Sequence, residues 1–251
     1  MDKNKKVYSD KKVIDWYGQL EEIWPIEKKI FAEYKNLLQS GNFLDVGVGG
    51  GRTTKYLANI CKHYTGIDYS EKFIEKLKEH YPEFEYYTID ASDMSAFQDQ
   101  TFDFVNFSFN GMDYVDLDNR KKIFSEMYRV LKPKGLFFFS THNKNHFSFN
   151  INPWRNKNNS FSINIKTFLK LVPYLIKKQR QKTHTVYHKD YAIINDSAHN
   201  YELMTFYTSP AFLRRQLSDN GFVEIDYYLK SGEKKDDSQL EEWIFATAKK
   251  A

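Results

Sequence analysis

Three aspartates, Asp45, Asp68 and Asp90, each close a short apolar run, and Gly47-Val48-Gly49-Gly50-Gly51 follows the first of them. Glycines placed directly after a strand let the backbone turn tightly and approach a ligand, while the next helix presents free N–H groups. An acid after the second strand, about twenty residues beyond the glycines, suits acceptance from two ribose hydroxyls. An acid after the third can accept from an exocyclic amine such as that of adenine. Together the residues describe an adenosine pocket. Asp45 lies against the glycine loop, where its charge would repel a pyrophosphate and attract an ammonium or sulfonium group. A dinucleotide fingerprint begun at Gly47 would need a small residue where Arg52 stands, and Gly51 lacks the Lys and Ser or Thr that complete a P-loop. Tyr-x-x-x-Lys occurs at Tyr8, Tyr128 and Tyr174, no more often than chance gives in a chain so rich in both residues. The cofactor these residues suit is cationic and carries adenosine.

The elements that must position these groups alternate. Apolar residues from Val13 to Ile23, and again from Ile26 to Leu37 beyond Pro25, recur at helical spacing. Strands are then expected at 42–46, 64–68, 84–89, 102–109 and 136–140, with helices between them: 52–61, 71–80 behind a Ser70 cap, and one from an Asp118 or Asn119 cap to Leu131. Strands apolar on both faces and alternating with helices make a parallel sheet covered on both sides, so the fold class is α/β, doubly wound. After Thr141 the alternation stops. It resumes with a helix at 210–220, Gly221 as its stop, and strands at 222–228 and 243–248, which brings the count to seven. Between them, two strands at 183–194 and 201–207 are expected around an Asn195-Asp196-Ser197 turn. Residues 142–209 thus read as a substrate lid inserted after strand five, residues 41–141 and 210–251 as the catalytic core, and residues 1–40 as a helical segment over the cofactor site.

Composition narrows the class. Hydrophobic residues make 41% and charged residues 28% of the 251. That is enough apolar material for a packed core. No apolar run is long enough to span a membrane, and the N-terminus has no signal core. A lone Cys61 excludes a disulfide framework and suits a reducing cytosol, so a cytoplasmic location is expected. The net charge of +4 names no partner.

Phe43-Leu44-Asp45-Val46-Gly47-Val48-Gly49-Gly50-Gly51 resembles motif I of the class I S-adenosylmethionine-dependent methyltransferases. Ile67-Asp68-Tyr69-Ser70 resembles that family's ribose-binding strand end, and Ile89-Asp90-Ala91-Ser92 its adenine-binding turn. Phe102-Asp103-Phe104-Val105 and Arg129-Val130-Leu131-Lys132-Pro133-Lys134-Gly135 are similar to its fourth- and fifth-strand signatures, Lys134 standing where glycine is common. The match covers residues 41–141 and resumes weakly from 210 to 249. It implies a Rossmann-like core with S-adenosylmethionine as cofactor. By the same resemblance, Gly47 and Gly49 would run along the methionine moiety and Asp45 would hold its amino group, often through water. Asp68 would bind the ribose, Tyr69 would flank the adenine, and Asp90, Ala91 and Ser92 would meet its edge. Phe109 and Asn110 would line the sulfonium side, and Tyr17 would close over the cofactor.

Methyl transfer from a sulfonium needs in-line alignment and exclusion of water, with a base for a high-pKa oxygen acceptor. Candidates for acceptor contact or base duty are Tyr114, His142 and Tyr201, with Asn143 and His199 behind them. His142 directly follows the expected fifth strand and so should face the pocket mouth. His142 with His146, and His184 with His188, have metal-ligand spacing, yet no acidic third ligand stands nearby, and no metal is expected. The acceptor expected is a small molecule, such as a sugar, a sugar nucleotide or another biosynthetic intermediate, methylated on oxygen or nitrogen. A lipid-soluble quinone precursor is the alternative, with Lys166–Arg180 lying on a membrane surface, interrupted by Pro173, and no stable insertion. RNA is a further alternative, supported by the basic, aromatic-rich 142–209 segment. Phe109-Asn110-Gly111-Met112 departs from the Asn/Asp-Pro-Pro-Tyr/Phe motif of many base methyltransferases, so a nucleic-acid partner is not expected. Intact cofactor acids disfavour a non-catalytic scaffold. The sequence carries no signal of oligomeric state.

Overall fold

A computed structural model describes residues 7, 8, 10–146, 185–195 and 203–251. The central strands are β1 (Asn42–Val46), β2 (His63–Asp68), β3 (Glu85–Thr88), β4 (Phe102–Phe107) and β5 (Leu131–Asn143). They lie in the order 3-2-1-4-5, all parallel to their neighbours. The sheet continues past β5 with β11 (Trp243–Lys250), β9 (Phe222–Tyr228) and the short β10 (Lys234–Lys235). Strand β11 runs antiparallel to both β5 and β9. The doubly wound, mostly parallel sheet expected from the sequence is therefore present, with β11 and the short β10 reversed.

Seven α-helices lie wholly within the described residues: α1 (Lys11–Gly18), α2 (Pro25–Glu33), α3 (Lys35–Ser40), α4 (Arg52–Leu57), α5 (Glu71–His80), α6 (Leu117–Val130) and α7 (Pro210–Asp219). Period-two alternation explains the two layers. In β5, Phe137 and Phe139 join a core with Phe124 and Met127 of α6 and Leu213 and Leu217 of α7. Leu136 and Phe138 face the opposite core, with Ile26, Ile30 and Phe31 of α2, Leu38 of α3 and Leu77 of α5.

Element ends depart from expectation where side chains or glycines decide them. The cap of α6 is Asp116 rather than Asp118 or Asn119, because its carboxylate accepts from Asn119 N at 2.8 Å. A carboxylate so placed satisfies one of the N–H groups a helix start leaves open. Helix α4 ends at Leu57, and Ser70 holds the N-cap position of α5 without a side-chain cap bond. Strand β5 is longer at both ends than the apolar run suggests. Its start is bent by Lys134 at φ +65°, and its end continues to Asn143 because β8 (Thr205–Thr208) pairs alongside His142 and Asn143. Antiparallel to β8 lies β7 (Tyr191–Ile194), followed outward by β6 (Val186–Tyr187). The strand expected over 183–194 is thus two pieces broken at His188–Asp190. The basic stretch 166–180 and residues 196–197 of the expected turn lie outside the described residues.

Candidate cofactor cleft

The carboxyl ends of β1, β2 and β4 open onto one cleft, with about 980 Å³ of empty space including its mouth. Its floor is the glycine loop. Gly47 and Gly49 take φ of +66° and +50°. L side chains rarely adopt such angles. A Cβ on Gly47 would stand 2.9 Å from the Phe107 ring, and one on Gly50 only 2.4 Å from the Tyr17 backbone. The loop is therefore bare on both sides for reasons of space: Phe107 fills one, and the end of α1 rests on the other.

Asp68 lies at the end of β2, 7% exposed, with Oδ1 accepting from Ser70 N at 2.8 Å and Oδ2 from Gly49 N at 3.0 Å. Burial pushes its carboxyl up to about 6, against the pull of those two N–H groups. Asp90 follows β3, and its Oδ1 accepts from both the backbone N and the hydroxyl of Ser92, at 2.9 and 2.7 Å. Gly47, Gly49, Asp68, Tyr69, Asp90, Ala91, Ser92, Phe109, Tyr17 and Tyr114 all border the cleft. The order of motifs along the chain is thus also a convergence in space.

Asp45, Asn110 and His142 do not border the cleft. Asp45 lies beneath the loop, 1% exposed, its carboxylate taken by Thr53 (2.6 Å), Tyr64 (2.8 Å) and Asn106 (2.7 Å). Burial raises its pKa while those hydrogen bonds oppose the rise. It acts on the loop through the structure it ties together. Phe109 and Asn110 leave β4 with φ of +58° and +56°, and this corner aims the Phe109 ring at the cleft and the Asn110 side chain away from it. His142 does not reach the mouth; it sits inside β5, 7% exposed, against Asp113 and Asn110. Tyr201 and His199 lie outside the described residues.

Two functional-looking features escaped the sequence. Tyr8 borders the cleft, and its ring meets those of Tyr17, Tyr69 and Tyr114 at centroid distances of 5.8, 5.8 and 6.0 Å. Burial raises the Tyr8 hydroxyl well above its ordinary pKa and pushes that of Tyr17 up to about 12. No spacing rule links Tyr8 to the later strand ends; only its place in an aromatic N-terminal segment could have drawn attention to it. The second feature is Arg52, at the start of α4. Its guanidinium pairs with the fully buried Glu27 through two hydrogen bonds of 2.7 and 2.5 Å. It also donates to Glu22 O (2.9 Å) and Ser108 Oγ (3.0 Å), and it stacks on Trp24 and Phe109. The residue that excluded a dinucleotide fingerprint is the clamp between the N-terminal segment and the end of β4. Among the described residues no group of three or more His, Cys, Asp or Glu is placed to hold a metal, and no helix is long and apolar enough to cross a membrane.

Comparison with known proteins agrees with this geometry. Residues 44–139 match a family described as a methyltransferase domain. The ubiquinone biosynthesis O-methyltransferase of Hydrogenovibrio crunogenus is 28% identical over 137 residues, 53% of this chain and 55% of that one. The chain spans about half the length of the curated relatives it matches. Among solved structures, an S-adenosylmethionine-dependent methyltransferase from Clostridium acetobutylicum superposes with a TM-score of 0.62 at 15% identity, covering 96% of this chain and 98% of that one. The 1,6-didemethyltoxoflavin-N1-methyltransferase of Burkholderia thailandensis, solved with S-adenosylhomocysteine, gives 0.60 at 13% identity, covering 99% and 87%. The stretch that matches a methyltransferase domain carries Asp45, Asp68 and Asp90 in their expected order, and the chain shares the fold of these two methyltransferase structures.

Proposed function

We propose that the protein transfers a methyl group from S-adenosylmethionine to an oxygen or nitrogen of a small molecule. The observation that carries this reading is the convergence of the glycine loop, Asp68 and Asp90 on one aromatic-walled cleft. The residues fit the cofactor's parts. The loop leaves no side chain where the methionine moiety would pass. Asp68 offers a buried carboxylate to a vicinal diol, and Asp90 with Ala91 and Ser92 offers polar edge contacts to adenine. When bound, S-adenosylmethionine supplies an already activated methyl group. The chain's own work is then to hold and to dry the site. Tyr8, Tyr17, Tyr69, Phe73 and Phe109 wall the cleft, and Tyr114, which also borders it, is the candidate for acceptor contact. Tyr201 is retained as an acceptor-side candidate, and His142 is assigned a different role below.

A second reading, a lipid-soluble quinone-type acceptor, is favoured by the relatives named for ubiquinone biosynthesis. Residues 142–209 are proposed as the segment that covers the acceptor, supported by β6–β8 hanging from the carboxyl end of β5. We place the protein in the cytoplasm, acting on a small molecule rather than on nucleic acid. Calorimetric titration with S-adenosylmethionine and S-adenosylhomocysteine, with NAD as control, tests the cofactor. Micromolar binding of the first two is expected, and binding of NAD instead would overturn the reading. Flotation with anionic vesicles separates the acceptor classes, since only the quinone reading predicts association with lipid.

A further inference from the structure

His142 is held from both sides. Its Nδ1 and its backbone N lie 2.8 and 2.7 Å from Asp113 Oδ2, while Asp113 Oδ1 accepts from Arg120 (2.6 Å) and Thr141 Oγ1 (2.6 Å). Asp113 and Arg120 are fully buried. With the carboxylate accepting at every side, Nδ1 carries a proton, and in the neutral imidazole Nε2 is then the acceptor. Nε2 faces Asn110 Nδ2 at 3.2 Å. With the Asn110 amide placed as donor to that nitrogen, its Oδ1 is buried without a hydrogen-bond partner.

The consequence reaches the cleft. Asn110 sits between Phe109 and Gly111, both of which border it. Phe109 and Asn110 both take positive φ, a conformation asparagine visits readily but phenylalanine rarely. Two β5 residues impose it here: Ser140 Oγ accepts from Asn110 N at 2.9 Å, and His142 holds the Asn110 side chain. The imidazole itself is braced between Tyr207 of β8 (4.8 Å) and Trp243 of β11 (5.5 Å), and Trp243 also meets the Phe109 ring edge-on at 5.6 Å.

We propose that His142 is a positioning residue: through its neutral Nε2 it holds Asn110, and so sets the Phe109 ring against the cofactor cleft. The proposal rests on the cofactor reading above. It replaces the expectation that His142 touches the acceptor. The charged and titratable groups around His142 are Asp113, Arg120 behind it, and Tyr207. A proton on Nε2 would set donor against donor, and Asn110 would have to turn its stranded oxygen inward.

Glutamine and asparagine separate the two nitrogens. His142→Gln places an amide oxygen near the Nε2 position and can still accept from Asn110, whereas His142→Asn keeps only the donor to Asp113. S-adenosylhomocysteine affinity, measured by calorimetry, should stay within about twofold of the original in the Gln variant and fall about fivefold to tenfold in the Asn variant, the effect of one hydrogen bond. The reverse order, equal affinity in both, or equal loss in both would overturn the proposal. In the unsubstituted protein, ¹⁵N spectra should show His142 protonated at Nδ1, with the Nε2 signal moving when S-adenosylhomocysteine is added. An Nε2–H tautomer or an unmoved signal would overturn it without any variant. Failure of the unsubstituted protein to bind S-adenosylhomocysteine would instead remove the cofactor reading, and this inference with it.

Discussion

Asp68 makes cofactor affinity depend on pH in a way that can be worked out beforehand. Its carboxyl is pushed by burial from the ordinary 3.8 up to about 6 in the folded chain. A ribose diol donates hydrogen bonds, so the ionised carboxylate is the form that receives it. Apparent affinity scales with the fraction of protein in that form. With a pKa of about 6, roughly 97% is ionised at pH 7.5 and about 9% at pH 5. Affinity for S-adenosylhomocysteine should therefore be flat above about pH 7 and about tenfold weaker at pH 5, a loss of about 1.4 kcal/mol. The sign for the unliganded fold is the opposite of the usual carboxylate case. The raised pKa means that Asp68 favours folding fully below about 3.8, and that this contribution, roughly 3 kcal/mol, is lost as pH rises through 6. Calorimetry across this range, with circular dichroism confirming the fold at each pH, gives the profile. Asp68→Asn should bind weakly and show no such slope. A flat profile in the unsubstituted protein, or the same slope in the Asn variant, would refute the assignment of Asp68 to the diol.

Two further predictions concern the Arg52 clamp and the glycine loop. Arg52→Met leaves the fully buried Glu27 carboxylate unpaired. The cost is about 3–5 kcal/mol, so the thermal midpoint should drop by about 10 °C. Adding Glu27→Met to that variant should recover most of the loss, and a midpoint unchanged by Arg52→Met would show that the clamp carries no weight. Gly47→Ala forces a Cβ to 2.9 Å from Phe107 at a φ of +66°. The loop must shift to relieve that contact. S-adenosylhomocysteine binding should weaken by about tenfold or more while the fold survives, and unchanged affinity would place the methionine moiety elsewhere.

What the sequence made legible and what it hid divide along physical lines. Strands β1 and β2 are apolar runs ended by an acid or a glycine and β4 is apolar almost throughout, and local composition alone located them. Asp68, at the end of β2, and Asp90, just past β3, follow from the rule that the carboxyl ends of parallel strands open onto the crevice. Asp45 shows the limit. It too ends a strand, yet its side chain points beneath the loop, because Thr53, Tyr64 and Asn106 arrive there from three other elements. His142 was misplaced for a related reason. Its strand was expected to stop at Ser140, and pairing with β8 and β11 extends it past the histidine. Tyr8 and Arg52 depend on how the N-terminal segment docks, a contact between stretches far apart in sequence that no periodicity records.

The position of β11 has a consequence for how the domain is made. This strand, Trp243–Lys250, fits between β5 and β9 and pairs with residues synthesised about a hundred positions earlier. Until it emerges, β5 presents an unpaired edge made of Leu136, Phe137, Phe138 and Phe139. An edge of that kind recruits other chains. Non-local pairing of this sort is also slow. The nascent chain is therefore most prone to aggregation just before translation reaches Trp243, and a chain halted there should be insoluble rather than a slightly shortened enzyme.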